Sequence, residues 1–224
     1  MEQSIIGLFF DAPLQSWDVG SRHSDRGTLP APTRSGVLGI IAAAMGLDKN
    51  DPNELFHLQR LQVLEMEIFL MKPHRVLRDY HIAQDCRQAD GKIKKNSVVT
   101  HRSYLEEAQF LICLSCDDEA LLHSLDESLK NPVWGGWLGR KSCIPASPLY
   151  LGMFSSNNDV KNHITKFRPG IIWNSCGLLR ELKMGKNESP SFSECLMSID
   201  DVPISFGKRE FGSRKVAMTY FGSK

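Results

Sequence analysis

The chain has 224 residues and nearly balanced charge, 27 Lys and Arg against 26 Asp and Glu, for a formal net charge of +1. That length suits one domain, or a domain with a smaller appendage, and it can bury a real core. The composition, 42% hydrophobic and 24% charged, is that of an ordinary globular protein, and no stretch approaches the ~18 consecutive apolar residues of a membrane span.

Ser4 to Phe10 is short and apolar and reads as a first strand. It is too short for the apolar region of a secretion signal, and Met1-Glu2-Gln3-Ser4 supplies no basic start, so the expectation is a cytoplasmic protein. Asp18 to Pro32, rich in Gly, Ser, Asp and Pro, predicts an irregular loop. Thr33 can cap a helix from Arg34 to about Met45, whose small apolar body implies close packing on a sheet and which Gly46 ends. Asp51 as cap and Pro52 at the first position open a second short helix through Arg60. Val63 to Met71 alternates as an amphipathic strand, with Leu64, Met66, Ile68 and Leu70 on its apolar face.

A polar segment from Arg78 to Arg102 follows. Asp90-Gly91 within it is a hairpin-turn signal and Ser97 to Thr100 a returning strand. Ala108 to Cys116 is a core strand. Asp117-Asp118-Glu119 opens a helix with a stripe of Leu121, Leu122, Leu125 and Leu129. Val133 to Ser142 is a glycine-rich loop, and Leu149 to Met153 a last strand. The order strand, helix, strand, strand, helix, strand predicts an α+β, ferredoxin-like (RRM-like) domain over 1–154, with a long hairpin insert at about 78–102. The Ser/Asn-rich remainder, 155–224, is expected to be a small, irregular, partly β appendage.

Charge is unevenly distributed. Lys72 to Arg102 holds eight Lys and Arg and three Asp, whereas Ser103 to Leu129 holds seven Asp and Glu and no Lys or Arg. The local sign, not the sum, sets the field a phosphate backbone meets. A solvated basic loop accounts equally for this pattern on its own. The six cysteines are expected to be thiols. Cys113 and Cys116 form the sole CxxC, lie on opposite faces of a strand, and have no second pair to complete a zinc site.

Three segments carry the chemistry of anion binding. In Trp134 to Ser142, glycines let backbone N–H groups approach a phosphate, Arg140 and Lys141 add charge, and the indoles can stack on bases. The insert brings Arg78, His81, Arg87, Lys92, Lys94, Lys95, His101 and Arg102, with Tyr80 and Tyr104 at its base. Pro32 to Gly36 at a helix start offers backbone donors to an anion. A structural turn, a mobile loop and a plain helix cap are the respective alternatives. No motif for nucleophilic or metal-assisted hydrolysis is present. A metal-independent ribonuclease remains an alternative, with His81, Tyr80 or Tyr104, and Lys94 or Lys95 as acid, base and cation.

Taken in order, Leu14-Gln15-Ser16-Trp17, Pro32 to Gly39, Leu77 to His81, Thr100 to Leu105, Leu138 to Cys143 and Pro148 to Gly152 resemble the CasD family of CRISPR-associated proteins, the fifth numbered Cas family, in its type I-E branch. The resemblance implies a RAMP-type palm, with the insert as a β-hairpin thumb over a guide RNA. It implies a non-catalytic Cascade subunit that grips the 5′ handle of the crRNA, needs no cofactor, and touches target DNA only through the complex. Its partners would be the adjacent backbone subunit and the large subunit that reads the PAM. In the type I-C branch the related protein is the processing ribonuclease, which keeps precursor-crRNA cleavage as the alternative activity. By motif position, RNA contact falls on Arg34, Ser35, Arg78, Tyr80, His81, Arg102, Tyr104, Gly139, Arg140, Lys141 and Ser142, with Gln15 and Trp17 as further candidates. Lys94 and Lys95 join them as phosphate contacts on physical grounds alone. The acidic helix after Asp117 is expected to face away from the RNA.

Overall fold

The computed structural model describes residues 4–20, 24–93, 96–173, 176–182 and 194–219. In chain order these form β1 (Ile5–Asp11), β2 (Leu14–Gln15), β3 (Asp25–Arg26), α1 (Arg34–Ala44), α2 (Glu54–Leu61), β4 (Glu65–Leu70), β5 (Arg75–Ala83) and β6 (Val98–Glu106). There follow β7 (Gln109–Ser115), α3 (Glu119–Lys130), β8 (Tyr150–Phe154), α4 (Asn157–Phe167), β9 (Gly177–Glu181), β10 (Cys195–Ser205) and β11 (Glu210–Thr219). The fold is mixed α/β, with mostly antiparallel sheets and four helices among the described residues.

Seven strands form one sheet in the order β10-β11-β9-β4-β7-β1-β8, each pair antiparallel. Alternation along its central strands divides the apolar residues between two faces. Ile6, Leu8 and Phe10 of β1 and Met66, Ile68 and Leu70 of β4 meet Leu38 and Ile41 of α1 and Leu121 and Leu125 of α3. Ile5, Phe9, Phe69 and Leu111 face the other way, under Val160 and Ile164 of α4. Each fully buried side chain of this kind stabilises the fold by about 1.5–3 kcal/mol. Cys113 lies in the second cluster and Cys116 in the first, as the spacing of three requires. Thr33 caps α1 by accepting from the Gly36 N–H at 3.1 Å, and Asp118 caps α3 by accepting from the Leu121 N–H at 2.9 Å.

Two expectations change. The second helix begins at Glu54 rather than after Asp51. The Asp51 carboxylate accepts from the Asn53 N–H at 2.7 Å and so closes a turn ahead of the helix instead of capping it. The described residues after 154 are more regular than expected: they supply α4 and three strands, and β9 pairs with β4, so the sheet runs on through them. The inward side of β10 is Ile199, Asp201, Pro203 and Ser205. A buried carboxylate and a serine interrupt the apolar alternation that marks a strand in sequence.

β5 and β6 form a long antiparallel hairpin, in register from Arg75↔Glu106 to Ala83↔Val98. Its Asp90-Gly91 turn has Gly91 at φ +81°, with the Gln88 N–H donating to the Lys92 carbonyl at 2.8 Å. The far edge of β6 receives β2 in antiparallel fashion and β3 in parallel, Arg26 opposite Arg102.

Candidate nucleic-acid interface

The hairpin register sorts the candidate residues onto two faces. Asp79↔Arg102, Leu77↔Tyr104 and His81↔Thr100 share one face, whereas Tyr80↔His101 and Arg78↔Ser103 share the other. The rings of Tyr80 and His101 lie 5.5 Å apart on that second face, and Arg78 pairs there with Asp25 at 3.0 Å. Arg78 and Tyr80 are therefore not brought together with Arg102 and Tyr104.

The glycine-rich loop docks on the first face. The Leu138 N–H donates to Cys143 O at 2.9 Å, and Ser16 N–H donates to Leu138 O at 3.1 Å, which presses the turn against the segment after β1. Gly139 sits at φ +94°, and a Cβ there would lie 1.7 Å from the Ser16 carbonyl oxygen, so no other residue fits. This turn carries Arg140 back over β6, where its guanidinium carbon stands 4.5 Å from the centre of the Tyr104 ring. Its Nη2 donates to the Arg26 carbonyl at 3.1 Å, and Arg26 is the register partner of Arg102. Tyr104 follows Arg102 by two residues on the same face, about 7 Å along the strand. Arg102 and Arg140 thus border one surface. Lys141 and Ser142 stand exposed just beyond it.

Carboxylates lie near this surface, Asp79 opposite Arg102 and Asp18 acting at longer range on Arg140 and Arg26, but direct ion pairs are missing from it among the described residues. Arg34, Arg78, Arg168, Arg180 and Arg214 have carboxylate partners, but Arg26, Arg102, Arg140 and Arg209 form no ion pair with a described residue. Buried polar atoms without a hydrogen-bond partner among the described residues include Asp18 Oδ2, His81 Nδ1, Thr100 Oγ1, Arg102 Nε and Arg140 Nη1. Such groups in a folded protein call for a ligand or ordered water.

Beside Arg140 the surface sinks into a cavity of about 440 Å³. The start of α1 lines it with Thr33, Ser35 and Gly36, and the loop after β1 with Asp18. The third wall is the β10–β11 turn, which adds Phe206, Arg209 and Phe211. Glu54 fastens that turn, accepting from the Phe206 N–H at 2.7 Å, the Gly207 N–H at 3.0 Å and the Ser205 hydroxyl at 2.7 Å. Burial works against its charge, but these donors hold its carboxyl below the usual range.

The helix start does bind an anion, and the anion is the protein's own. Asp201 of β10 accepts from the Arg34 N–H at 2.6 Å and takes the Arg214 guanidinium at 2.7 and 2.9 Å. The Arg34 side chain turns inward, 4% exposed, to Glu181 at 3.2 Å and to the carbonyls of Gln62 and Leu64 at 2.7 and 2.9 Å. Burial pushes its pKa down and Glu181 draws it back up. Arg34 is thereby spent inside the fold, against the sequence expectation of an RNA contact. Gln15 and Trp17 are corrected in the same way. The Gln15 amide donates to the carbonyls of Phe10 and Ala108, its oxygen accepts from the Trp17 indole at 3.2 Å, and Trp17 stacks on Phe10 at 5.6 Å. Both are at most 1% exposed, although Trp17 still lines the floor of the cavity beside Arg140. Lys94 and Lys95 lie outside the described residues.

Arg26, Arg209 and the two phenylalanines were not legible as site residues. The parallel pairing of β3 has no local signature, but Lys208-Arg209 in a Gly207 turn between two strand-like runs was a readable basic hairpin. Of the acid–base candidates, His81 and Tyr104 share a face of the hairpin, whereas Tyr80 does not join them. Tyr80 and His81 point to opposite faces of β5, and Tyr104 is 7% exposed beneath Arg140.

A family model described as CRISPR-associated protein (Cas_Cas5) matches residues 5–217. The chain belongs to this family of CRISPR-associated proteins. It is 29% identical over 168 residues to the CRISPR system Cascade subunit CasD of Escherichia coli (strain K12), covering 71% of this chain and 75% of that one. Among solved structures, a chain of a CRISPR RNA-guided surveillance complex superposes with a TM-score of 0.74 at 24% identity, over 97% of this chain and 90% of its own. A second, titled as the crystal structure of a Cas protein, superposes with a TM-score of 0.66 at 26% identity, over 97% and 98%. The family likeness therefore extends over β9, β10 and most of β11, beyond the motifs that carried the resemblance in sequence.

Proposed function

We propose that this family member is a non-catalytic crRNA-binding subunit of a type I-E Cascade, gripping the 5′ handle of the guide. The single observation that carries this reading is the meeting of Arg102, Arg140 and Arg26 around Tyr104 with no described carboxylate within ion-pair distance. Unpaired guanidinium groups at one surface suit a phosphate backbone, and exposed rings at its margin suit splayed bases. We read the strand order β8-β1-β7-β4 with α1 and α3 on one face as a ferredoxin-like palm, residues 155–224 as its appendage, and the β5–β6 hairpin as a thumb. On this reading Arg102, Arg140, Lys141, Ser142 and Ser35 contact RNA at the base of the thumb. His81 does so farther out on the same face, and Arg78 and Tyr80 meet a different stretch of RNA or a neighbouring subunit. The neighbours are the backbone subunit and the large PAM-reading subunit. The protein acts in the cytoplasm in antiviral defence, and meets target DNA through the complex.

The test is assembly. Arg102→Ala and Arg140→Ala are each expected to lower the crRNA recovered with the purified complex while leaving the isolated chain's unfolding midpoint unchanged. Recovery equal to wild type for both variants at physiological salt contradicts the assignment. Incubation with repeat RNA in EDTA separates the catalytic alternative: intact RNA is expected, and specific cleavage lost in His81→Ala would overturn the non-catalytic reading.

A further inference from the structure

The glycine-rich loop has a second side, away from Arg102. Gly139 and Arg140 stand beside the start of α1, with Thr33, Ser35 and Gly36, whereas Trp134 and Gly136 stand beside its end, with Ile40 and Ala44. Eleven helical residues separate the two ends by about 15 Å. At the far end lies a groove of about 530 Å³, walled by Ile40, Trp134, Leu149 and three prolines, Pro132, Pro145 and Pro148.

The polar lining of this groove is turned on itself. Its one cation, Lys130, donates to Asp126 at 2.7 Å, and the Tyr150 hydroxyl donates to the same carboxylate. The Val133 and Trp134 N–H groups donate to the Ala44 and Ala43 carbonyls at 2.9 and 3.1 Å, and proline has no N–H to offer. The Arg140 surface, by contrast, carries guanidinium groups outside any described ion pair. The groove therefore suits a hydrocarbon side chain and not a phosphate.

Its rim is apolar and exposed. Val133, Trp134, Trp137 and Ile144 are 61, 48, 44 and 62% exposed. Single exposed apolar residues are ordinary, but these four belong to one loop. The Leu138 N–H to Cys143 O bond closes the turn between Trp137 and Ile144, so these two flank its neck. The bonds to the end of α1 fix the backbone at Trp134 before any partner arrives. A tryptophan held in this way loses little entropy on docking, which is how such residues come to dominate protein interfaces.

We infer that the groove at the end of α1 is a docking site for an apolar anchor side chain of a neighbouring protein subunit, with Trp134 as its central contact. The loop that carries Arg140 to the RNA then also holds that subunit, which places it beside the bound guide. The inference rests on the RNA-holding reading above only for the presence of a multi-subunit complex.

The experiment adds the purified chain to the guide RNA and the remaining subunits of its complex and measures how tightly it is retained. Handle-RNA binding by the isolated chain is measured beside it. Trp134→Ala is expected to be retained at least about tenfold more weakly, with RNA affinity and unfolding midpoint at their wild-type values, and Trp134→Phe to recover most of the loss. Ile144→benzoylphenylalanine, a photo-crosslinking substitution at an exposed position, identifies the molecule that lies there, and a protein subunit is expected. A crosslink to the guide RNA, or weaker RNA binding by Trp134→Ala in the isolated chain, would make the loop's rings base platforms and overturn the inference. Retention of Trp134→Ala as tight as wild type overturns it as well. Should Trp134→Ala not fold, the crosslink decides: a protein adduct upholds the docking site and its absence overturns it. The RNA-holding reading is judged apart, by Arg102→Ala and Arg140→Ala, and stands if these weaken RNA binding whatever the groove does.

Discussion

The guanidinium of Arg140 lies over the ring of Tyr104, 4.5 Å from its centre, although the two sit far apart in the chain, one on the hairpin and the other in the glycine-rich loop. Tyr104 is fixed by the β5–β6 hairpin, and Arg140 by a turn that only Gly139 permits. The ring holds the guanidinium plane while Nη1 stays without a partner among the described residues. Tyr104→Phe keeps this platform and should leave RNA affinity near wild type. Tyr104→Leu removes it, and with a cation–π interaction of about 1 kcal/mol the affinity should fall roughly fivefold. Equilibrium binding of the two variants to the same handle RNA checks this.

Gly139→Ala places a methyl group into the Ser16 carbonyl at a backbone angle that side chains rarely adopt. Steric strain and overpacking together should cost at least about 2 kcal/mol in urea unfolding. Gly135→Ala, where an added Cβ meets nothing within 4 Å, should change stability by no more than about 0.5 kcal/mol. Equal effects of the two would contradict the docking of this loop.

Asp201 is fully buried, bonded to the Arg34 N–H and to the Arg214 guanidinium. Asp201→Ala leaves Arg214 with only Glu181 at 3.8 Å and removes the acceptor of the Arg34 N–H, with an expected loss of about 3–5 kcal/mol. Chemical denaturation gives the value; a loss below about 1 kcal/mol would mean that β10 does not secure the start of α1.

Glu54 ties the β10–β11 turn through three donors, and its carboxyl pKa is held below the ordinary glutamate value. A group depressed in the folded state contributes stability above its unfolded pKa and loses it as the pH falls through the folded one. Wild type should therefore lose stability more steeply than Glu54→Gln as the pH falls below the ordinary glutamate value, the two curves running parallel at neutral pH. Thermal midpoints across that range test it, and identical slopes would show that Glu54 is not linked to folding.

Much of the scaffold was legible because local rules decided it. Alternation in Leu64 to Leu70, the Thr33 cap, the acidic opening of α3 and the leucine stripe from Leu121 to Leu129 each matched the structure. The site was legible only in part. The structure brings Arg140, Gly139, Arg102 and Tyr104 together, but Arg78 and Tyr80 were grouped with them in the sequence because alternation within one strand does not relate residues on two strands, and only the hairpin register separates their faces. Arg34 was misread because its partners Glu181 and Asp201 lie well over a hundred residues away, and a buried ion pair has no local mark. Arg26 and Arg209 were missed for a related reason. One enters by parallel pairing from an irregular loop, and the other by a hairpin whose buried face carries Asp201 and Ser205 instead of apolar residues.

The central claim is that Arg102 and Arg140 neutralise phosphates of one RNA strand. The most direct measurement is the salt dependence of handle-RNA affinity for the wild type and for the double variant Arg102→Ala/Arg140→Ala. Each phosphate that no longer meets a guanidinium should make the slope of log K against log salt shallower by about 0.7. The double variant should therefore bind at least about tenfold more weakly at physiological salt, with a slope shallower by about 1.4. Wild-type affinity and slope in the double variant would contradict it.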